Sequence, residues 1–334
     1  MVKYLILFLS VILLFGCKTE QTENKAAKFP VLTGKYLGQD EPGLTPELFA
    51  ANIVSTGMNE INACFSPDYT EFLFSIIMPG NNFVIMSMTY NGQQWSEPEV
   101  AGFSGKYSEA DPFITADGKY LYFVSKRPVD SLQAPKTDWD IWRVERINGE
   151  WANPEHLDSN INSDADDIYP SLTKDGTLYF SSGRDGRNNR DIYYAKSNGN
   201  SFEPCVKLSE TINNRWEGDI FISPDEDYMI FRSYGRDAGS GLYITFKTDG
   251  EWSIPENMGE EINKTGAELC PMLDPDGKYF FFSSRHIMPK EKSGEKLTYK
   301  KIKDEFINSH KYPGNGKTDI YWVDSKIIDN YRKN

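Results

Sequence analysis

Residues 109–125 read E-A-D-P-F-I-T-A-D-G-K-Y-L-Y-F-V-S, and this stretch decides the fold. Its Asp117-Gly118 step sits between two short apolar runs, 112–114 and 120–124. An Asp-Gly pair between alternating apolar residues marks two antiparallel strands joined by a tight turn. The unit recurs: equivalent aspartates stand at Asp68, Asp175, Asp225 and Asp276, and the five follow one another at spacings of 49, 58, 50 and 51 residues. A strand-rich period near 50 predicts the blades of a propeller and not a helical solenoid.

Working outward, each repeat has the same order. A strand precedes the turn aspartate and a second follows it. A third opens at Asp140-Ile141-Trp142, Asp191-Ile192-Tyr193 and Asp319-Ile320-Tyr321, with Gly241-Leu242-Tyr243 as the variant. A further turn then leads to an aromatic on the outer strand: Trp95, Trp151, Phe202 or Trp252. Such rings suit packing between neighbouring blades. Ile161-Asn162, Ile212-Asn213 and Ile262-Asn263 follow, and are expected to pin the crossovers, the Asn side chain imitating a backbone turn. Repeats begin near 59, 108, 166, 216 and 267. The expected fold is therefore all-β, a single propeller over 29–334. Closing the ring needs a strand from outside the repeats, because an open ring leaves unpaired edges. Residues 31–37 are the expected donor.

Ser66-Pro67-Asp68, Ser223-Pro224-Asp225 and Asp274-Pro275-Asp276-Gly277 resemble the WD-like repeats of the Pro-Asp type found in TolB-like β-propellers. Thr115-Ala116-Asp117-Gly118 and Thr173-Lys174-Asp175-Gly176 are looser copies without the proline. The resemblance covers about residues 59–324. It implies a propeller, commonly six-bladed; five repeats are present, so five four-stranded blades is the expectation and six the alternative. For function it favours protein partners, although propellers host binding, scaffolding and catalysis alike.

Ahead of the repeats, residues 1–16 have the pattern of a signal peptide: Lys3, then an apolar run over 4–15, shorter than the roughly 20 residues a spanning helix requires. Leu14-Phe15-Gly16-Cys17 resembles a bacterial lipobox, which implies lipidation of Cys17. Lys18 in place of Asp points, by resemblance to bacterial sorting rules, to the outer membrane. Residues 17–28 read as a polar tether. The expected location is thus the bacterial cell envelope, facing either the periplasm or the outside.

The net charge of −13 excludes nucleic acid as the natural partner, since phosphate binding needs a positive field. A carboxylate stands eight residues before every turn aspartate: Glu60, Glu109, Asp167, Glu217 and Glu268. Asp and Glu are only 49 of 334 residues, so five of five is a feature of the repeat. These side chains are expected to ring one channel mouth, either fixing blade register through backbone N–H groups or gathering a cation or basic peptide. Arg127, Arg184 and Arg285 are expected to pair within their blades with Asp140, Asp191 and Asp319. Asp164, Asp166 and Asp167 form an acidic loop without EF-hand spacing, so calcium stays an option and no other cofactor is implied. Cys64, Cys205 and Cys270 are an odd set without C-x-x-C spacing and read as free thiols. His156, His286 and His310 lack zinc spacing. No nucleophile elbow, phosphate loop or dinucleotide fingerprint is present. Residues 286–317 interrupt the last repeat with eight lysines against four acids, and 297–309 suit a short amphipathic helix.

Two function classes follow. The first is a lipid-anchored envelope binding or scaffold module, contacting a protein, peptide or glycan through one propeller face. The alternative is an envelope carbohydrate-active enzyme, a glycoside hydrolase or lyase using channel-mouth carboxylates. The alikeness of the five carboxylates favours the first, because acid–base catalysis needs carboxyls in differing environments.

Overall fold

The computed structural model describes residues 29–186, 189–287 and 296–332. The expected signal segment, Cys17 and the tether lie outside the described residues. The propeller lies within one compact unit, Val31–Asn334.

Five antiparallel sheets make five blades of four main strands. From the axis outward, blade 1 is Glu60–Phe65, Glu71–Met78, Asn82–Thr89 and Glu99–Val100. Blade 2 is Glu109–Ile114, Tyr120–Ser125, Asp140–Ile147 and Glu150–His156. Blade 3 is Asp167–Leu172, Leu178–Ser182, Asp191–Ala195 and Val206–Lys207. Blade 4 is Trp216–Ile222, Tyr228–Arg236, Gly239–Thr248 and Glu256–Asn257. Blade 5 is Leu269–Leu273, Tyr279–Ser284 and Asp319–Asp324, completed by Glu47–Leu48 from before the first repeat. Each inner strand contacts the next, and the last contacts the first, so the ring is closed.

The closing strand corrects the expectation placed on 31–37. Glu47 and Leu48 pair with Trp322 and Tyr321, and the Phe49 N–H continues the ladder to the Ile320 carbonyl at 2.8 Å. Residues 31–38 form no strand. They turn back through Gly34 and Gly38, both at positive φ, and lie against blade 1, where the Trp95 indole donates to the Gly34 carbonyl at 2.7 Å. The need to close the ring pointed to 31–37, but two glycines within five residues suit a turn.

Turn chemistry explains the hairpins. The Asp117 carboxylate accepts from Thr115 Oγ1 (2.6 Å) and the Lys119 N–H (3.0 Å), while Gly118 takes φ 69°. Between blades lie apolar cores, one of them a ring cluster of Phe49, Phe65, Phe72, Phe281 and Trp322 at the closing seam. The outer aromatics pack on the preceding blade as expected: Trp151 donates to Glu71 of blade 1, Phe202 meets Tyr122 of blade 2, and Trp252 meets Tyr179 of blade 3.

The crossover asparagines do more than turn the chain. Asn213 Oδ1 accepts the Ile192 N–H at 2.8 Å, and its Nδ2 donates to the Ile192 and Leu208 carbonyls. Asn162 does the same to Ile141 and Leu157, and Asn263 bonds both backbone groups of Leu242. Each side chain stands in for a missing strand partner where the outer strand has ended.

Candidate ligand site at the channel mouth

The five repeated carboxylates head the inner strands, and all are completely buried. Their partners come from the connection preceding each blade and from the blade itself. Glu109 accepts from the Gly105 N–H (3.1 Å), Ser125 Oγ (3.2 Å) and Arg127 Nη2 (3.2 Å). Asp167 accepts from the Ser163 N–H (2.6 Å) and Arg184 Nη2 (2.8 Å), and Glu217 from the Arg215 N–H, Ser233 Oγ and Arg236 Nη2. Glu268 accepts from Thr265 and Ser284; Glu60 is bonded by Thr56 Oγ1. Arg127, Arg184 and Arg236 therefore pair with inner-strand acids, correcting the expected pairs of Arg127 with Asp140 and Arg184 with Asp191, and the expected Arg285–Asp319 pair is not formed among the described residues. Strand register decides this: Ser125 lies opposite both Glu109 and Asp140, and the Arg127 guanidinium reaches inward. Arg285 is exposed. In the acidic loop, Asp166 pairs with Arg190 at 3.0 Å and Asp167 with Arg184. Cys64, Cys205 and Cys270 are free. Among the described residues, no group of three or more His, Cys, Asp or Glu side chains is placed to hold a metal.

The axis itself is lined two residues further along each inner strand, by Asn62, Asp111, Tyr169, Asp219 and Cys270. All five take left-handed φ, between 45° and 64°, and every inner strand slips register there. Left-handed backbone is tolerated by Asn and Asp but disfavoured for Tyr and Cys, at about 1–2 kcal/mol each. The bulge turns these side chains to the axis, where they meet across blades. Asn62 Nδ2 donates to Asp111 Oδ1 (3.2 Å) and Cys270 Sγ lies 3.7 Å from Tyr169 Oη, while within blade 4 Arg232 Nη1 lies 3.6 Å from Asp219. Tyr169 in blade 3 touching Cys270 in blade 5 spans the channel.

The two axial acids differ. Burial, together with the Asp219 charge, pushes the Asp111 carboxyl up to about 8, so it keeps its proton at neutral pH. Burial raises Asp219 as well, but the Arg232 and Arg190 guanidiniums pull it back toward the carboxylate. Around this neck sits an aromatic rim. Phe83 and Trp139 meet edge to face at 5.4 Å, and Trp216 and Tyr234 are 5.0 Å apart. Arg190 lies 5.4 Å over Trp216, and Arg232 4.4 Å over Tyr234. The Trp216 ring folds across Gly218, where an added Cβ would come within 2.9 Å of the indole. Phe83 and Tyr169 pack on Ile61 and Cys270, joining rim to neck. The opposite, turn-side end of the channel is an apolar cavity of about 200 Å³ lined by Phe113, Leu172, Phe221 and Met272.

Sequence reading found the repeated acids and missed the axial set. A usable signal existed: six residues before each turn aspartate the repeat abandons its identity and becomes Asn, Asp, Tyr, Asp and Cys.

No protein family matches the sequence, and no curated protein matches it. Solved structures with a similar arrangement of strands include TolB from Acinetobacter baumannii, 13% identical with a TM-score of 0.46, over 79% of this chain and 54% of that one. The chain thus spans about half the length of that protein. Others are a putative TolB from Agrobacterium tumefaciens (15% identity, TM-score 0.48, 79% and 90% covered) and an alpha-L-arabinofuranosidase from Lactobacillus brevis (12%, 0.48, 81% and 91%). Identities this low speak to the fold alone.

Proposed function

We propose that the protein is a cell-envelope recognition module that binds a glycan at the polar mouth of the propeller channel. One observation carries this reading: five structurally equivalent axial positions, strained alike, carry four different polar residue types beneath an aromatic rim, while the neighbouring acidic position hardly varies. A repeat kept for scaffolding repeats its residues; one kept for recognition diverges where the ligand touches. The chemistry narrows the ligand class. With Asp111 protonated, Asp219 facing Arg232, and Asp166 paired to Arg190, the mouth is close to neutral in charge and rich in donors and acceptors. That suits hydroxyl groups, with Trp139 and Trp216 offering faces for sugar rings, better than it suits a basic peptide. The five repeated acids, sealed within their blades, serve as scaffold in this reading. The envelope setting rests on the signal-like residues 1–16 and on Cys17.

Isothermal titration of the purified protein with envelope-type oligosaccharides tests the reading. Binding that weakens at least tenfold in Trp139→Ala and Trp216→Ala is expected. Glycan binding unchanged in both, or binding of basic peptides alone, would overturn it.

The differing environments of Asp111 and Asp219 favour a second reading, glycoside cleavage with Asp111 as general acid. Burial tells against it: Asp111 is 7% and Asp219 1% exposed, so a glycan resting on the mouth would reach only the edges of these side chains, and a scissile bond would not fit between them. Turnover of chromogenic glycosides, lost in Asp111→Asn and Asp219→Asn, would reverse that ranking.

A further inference from the structure

At three blade junctions the third strand of one blade opens with an aspartate beside the acid that heads the next blade's inner strand. The backbone register is the same each time. The Asp167 N–H donates to the Trp139 carbonyl (2.8 Å), Glu217 to Arg190 (2.8 Å) and Glu60 to Thr318 (2.9 Å), which sets Asp140, Asp191 and Asp319 next to the three acids. Two of these buried acid pairs carry two cations each. Asp140 and Asp167 are met by Lys136 and by Arg184 (2.8 Å), with His156 Nε2 a further 2.8 Å from Asp140. Asp191 and Glu217 are met by Lys207 (2.7 Å) and Arg236 (3.0 Å).

The third pair, Glu60 and Asp319 at the seam between blades 5 and 1, has no ion-pair partner among the described residues. Where blade 2 has Arg127, blade 1 has Met78, because Ile76 faces Glu60 as Ser125 faces Glu109. Arg285 is exposed, and Lys317 Nζ is turned to the Gly57 carbonyl at 3.3 Å. Two oxygens here are buried without any hydrogen-bond partner, Glu60 Oε2 and Thr318 Oγ1, in residues with no exposed surface. Glu268 Oε2 and Asp140 Oδ1 are orphaned as well. Glu268, however, has Gly241 and no acid at the matching place, and Asp140 has its lysine. The Thr56 hydroxyl donates to Glu60 and the Gly314 N–H to Asp319 Oδ2 (2.8 Å), so both seam carboxyls have neutral donors and neither meets a cation.

We propose that the junction of blades 5 and 1 binds a hard divalent cation of the calcium class through Glu60, Asp319 and Thr318 Oγ1. The sister junctions set the charge: two buried carboxylates are balanced by two positive charges, which one divalent ion supplies. The donors are oxygens, without imidazole or thiolate, which selects calcium or magnesium over zinc or copper. The ion would tie the first inner strand to the last blade, beside the seam that Glu47–Leu48 closes.

The test is a melting and calorimetric titration of the chelator-stripped full protein with CaCl2 and, separately, MgCl2. One of the two ions is expected to raise the Tm by about 5 °C at a hundredfold excess over its Kd. The shift should vanish in Glu60→Gln and in Asp319→Asn, and persist in Asp191→Asn at a sister junction. Met78→Arg, which supplies the counter-charge that blade 2 has in Arg127, should raise the metal-free Tm and remove most of the ion's effect. It keeps the proposal testable should the acid variants fold poorly. No shift with either ion at millimolar concentration, or a shift that survives in Glu60→Gln, Asp319→Asn and Met78→Arg, would overturn it.

Discussion

Asp111→Asn should make the protein more stable, and increasingly so as pH rises. The unfolded chain releases this proton near the ordinary 3.8, whereas the folded protein holds it to about 8. A folded-state pKa raised in this way means that the group's contribution to stability is complete below the unfolded value and is lost as pH climbs to the folded one. Four pH units at roughly 1.4 kcal/mol each set a ceiling of about 6 kcal/mol at pH 8. Relaxation and the Asn62 contact reduce this to about 3 kcal/mol in practice. Asparagine accepts the left-handed φ of 54° and keeps the side-chain shape, but never ionises. At roughly 2 °C per kcal/mol for a chain of this size, the melting difference between variant and parent should open from near zero at pH 4.5 to about 6 °C at pH 8. Calorimetric melts across that range would read it. A difference that is flat with pH, or that shrinks toward pH 8, would refute the reasoning. The expected gain would show that Asp111 is held at a cost to folding, which is how a residue kept for binding behaves.

Three further outcomes follow from the scaffold. Arg236→Met leaves the Glu217 charge buried and unpaired and should lose about 3–5 kcal/mol in urea titrations, whereas the double change with Glu217→Gln should recover much of it. Asn213→Ala orphans the Ile192 N–H, while the Ile192 carbonyl keeps the Leu208 N–H, and should cost about 1–3 kcal/mol, read as a lower denaturation midpoint with unchanged m-value. Phe49→Ala removes a fully buried ring from the closing seam. It should cost about 3–5 kcal/mol and speed amide exchange in Asp319–Asp324 before it does so in blade 3.

Much of the fold was legible because blade architecture is written in local chemistry. Asp117-Gly118 demands a hairpin, Trp151 and Phe202 demand a neighbouring blade, and the period demands a ring. The closure was legible as a need, but its donor was not. Glu47–Leu48 is two residues long, and its pairing with Trp322 and Tyr321 is a tertiary fact without local periodicity. The Arg127 pairing was misjudged for a related reason: Ser125 lies between Glu109 and Asp140, and sequence distance cannot say to which side a long side chain reaches. The axial set escaped because searching for repetition finds what repeats. Asp111, Tyr169 and Cys270 matter by failing to repeat, and the left-handed backbone that brings them together is a property of the slipped register, invisible along the chain.

The measurement that bears most directly on the account is amide hydrogen exchange, by mass spectrometry, with and without a bound envelope oligosaccharide. Protection concentrated at residues 166–170 and 216–220, with Trp139 and Arg190 alongside, is the predicted result. Protection confined to the outer strands, or to the exposed helix Tyr299–Ser309, would contradict the assignment of the channel mouth as the ligand site.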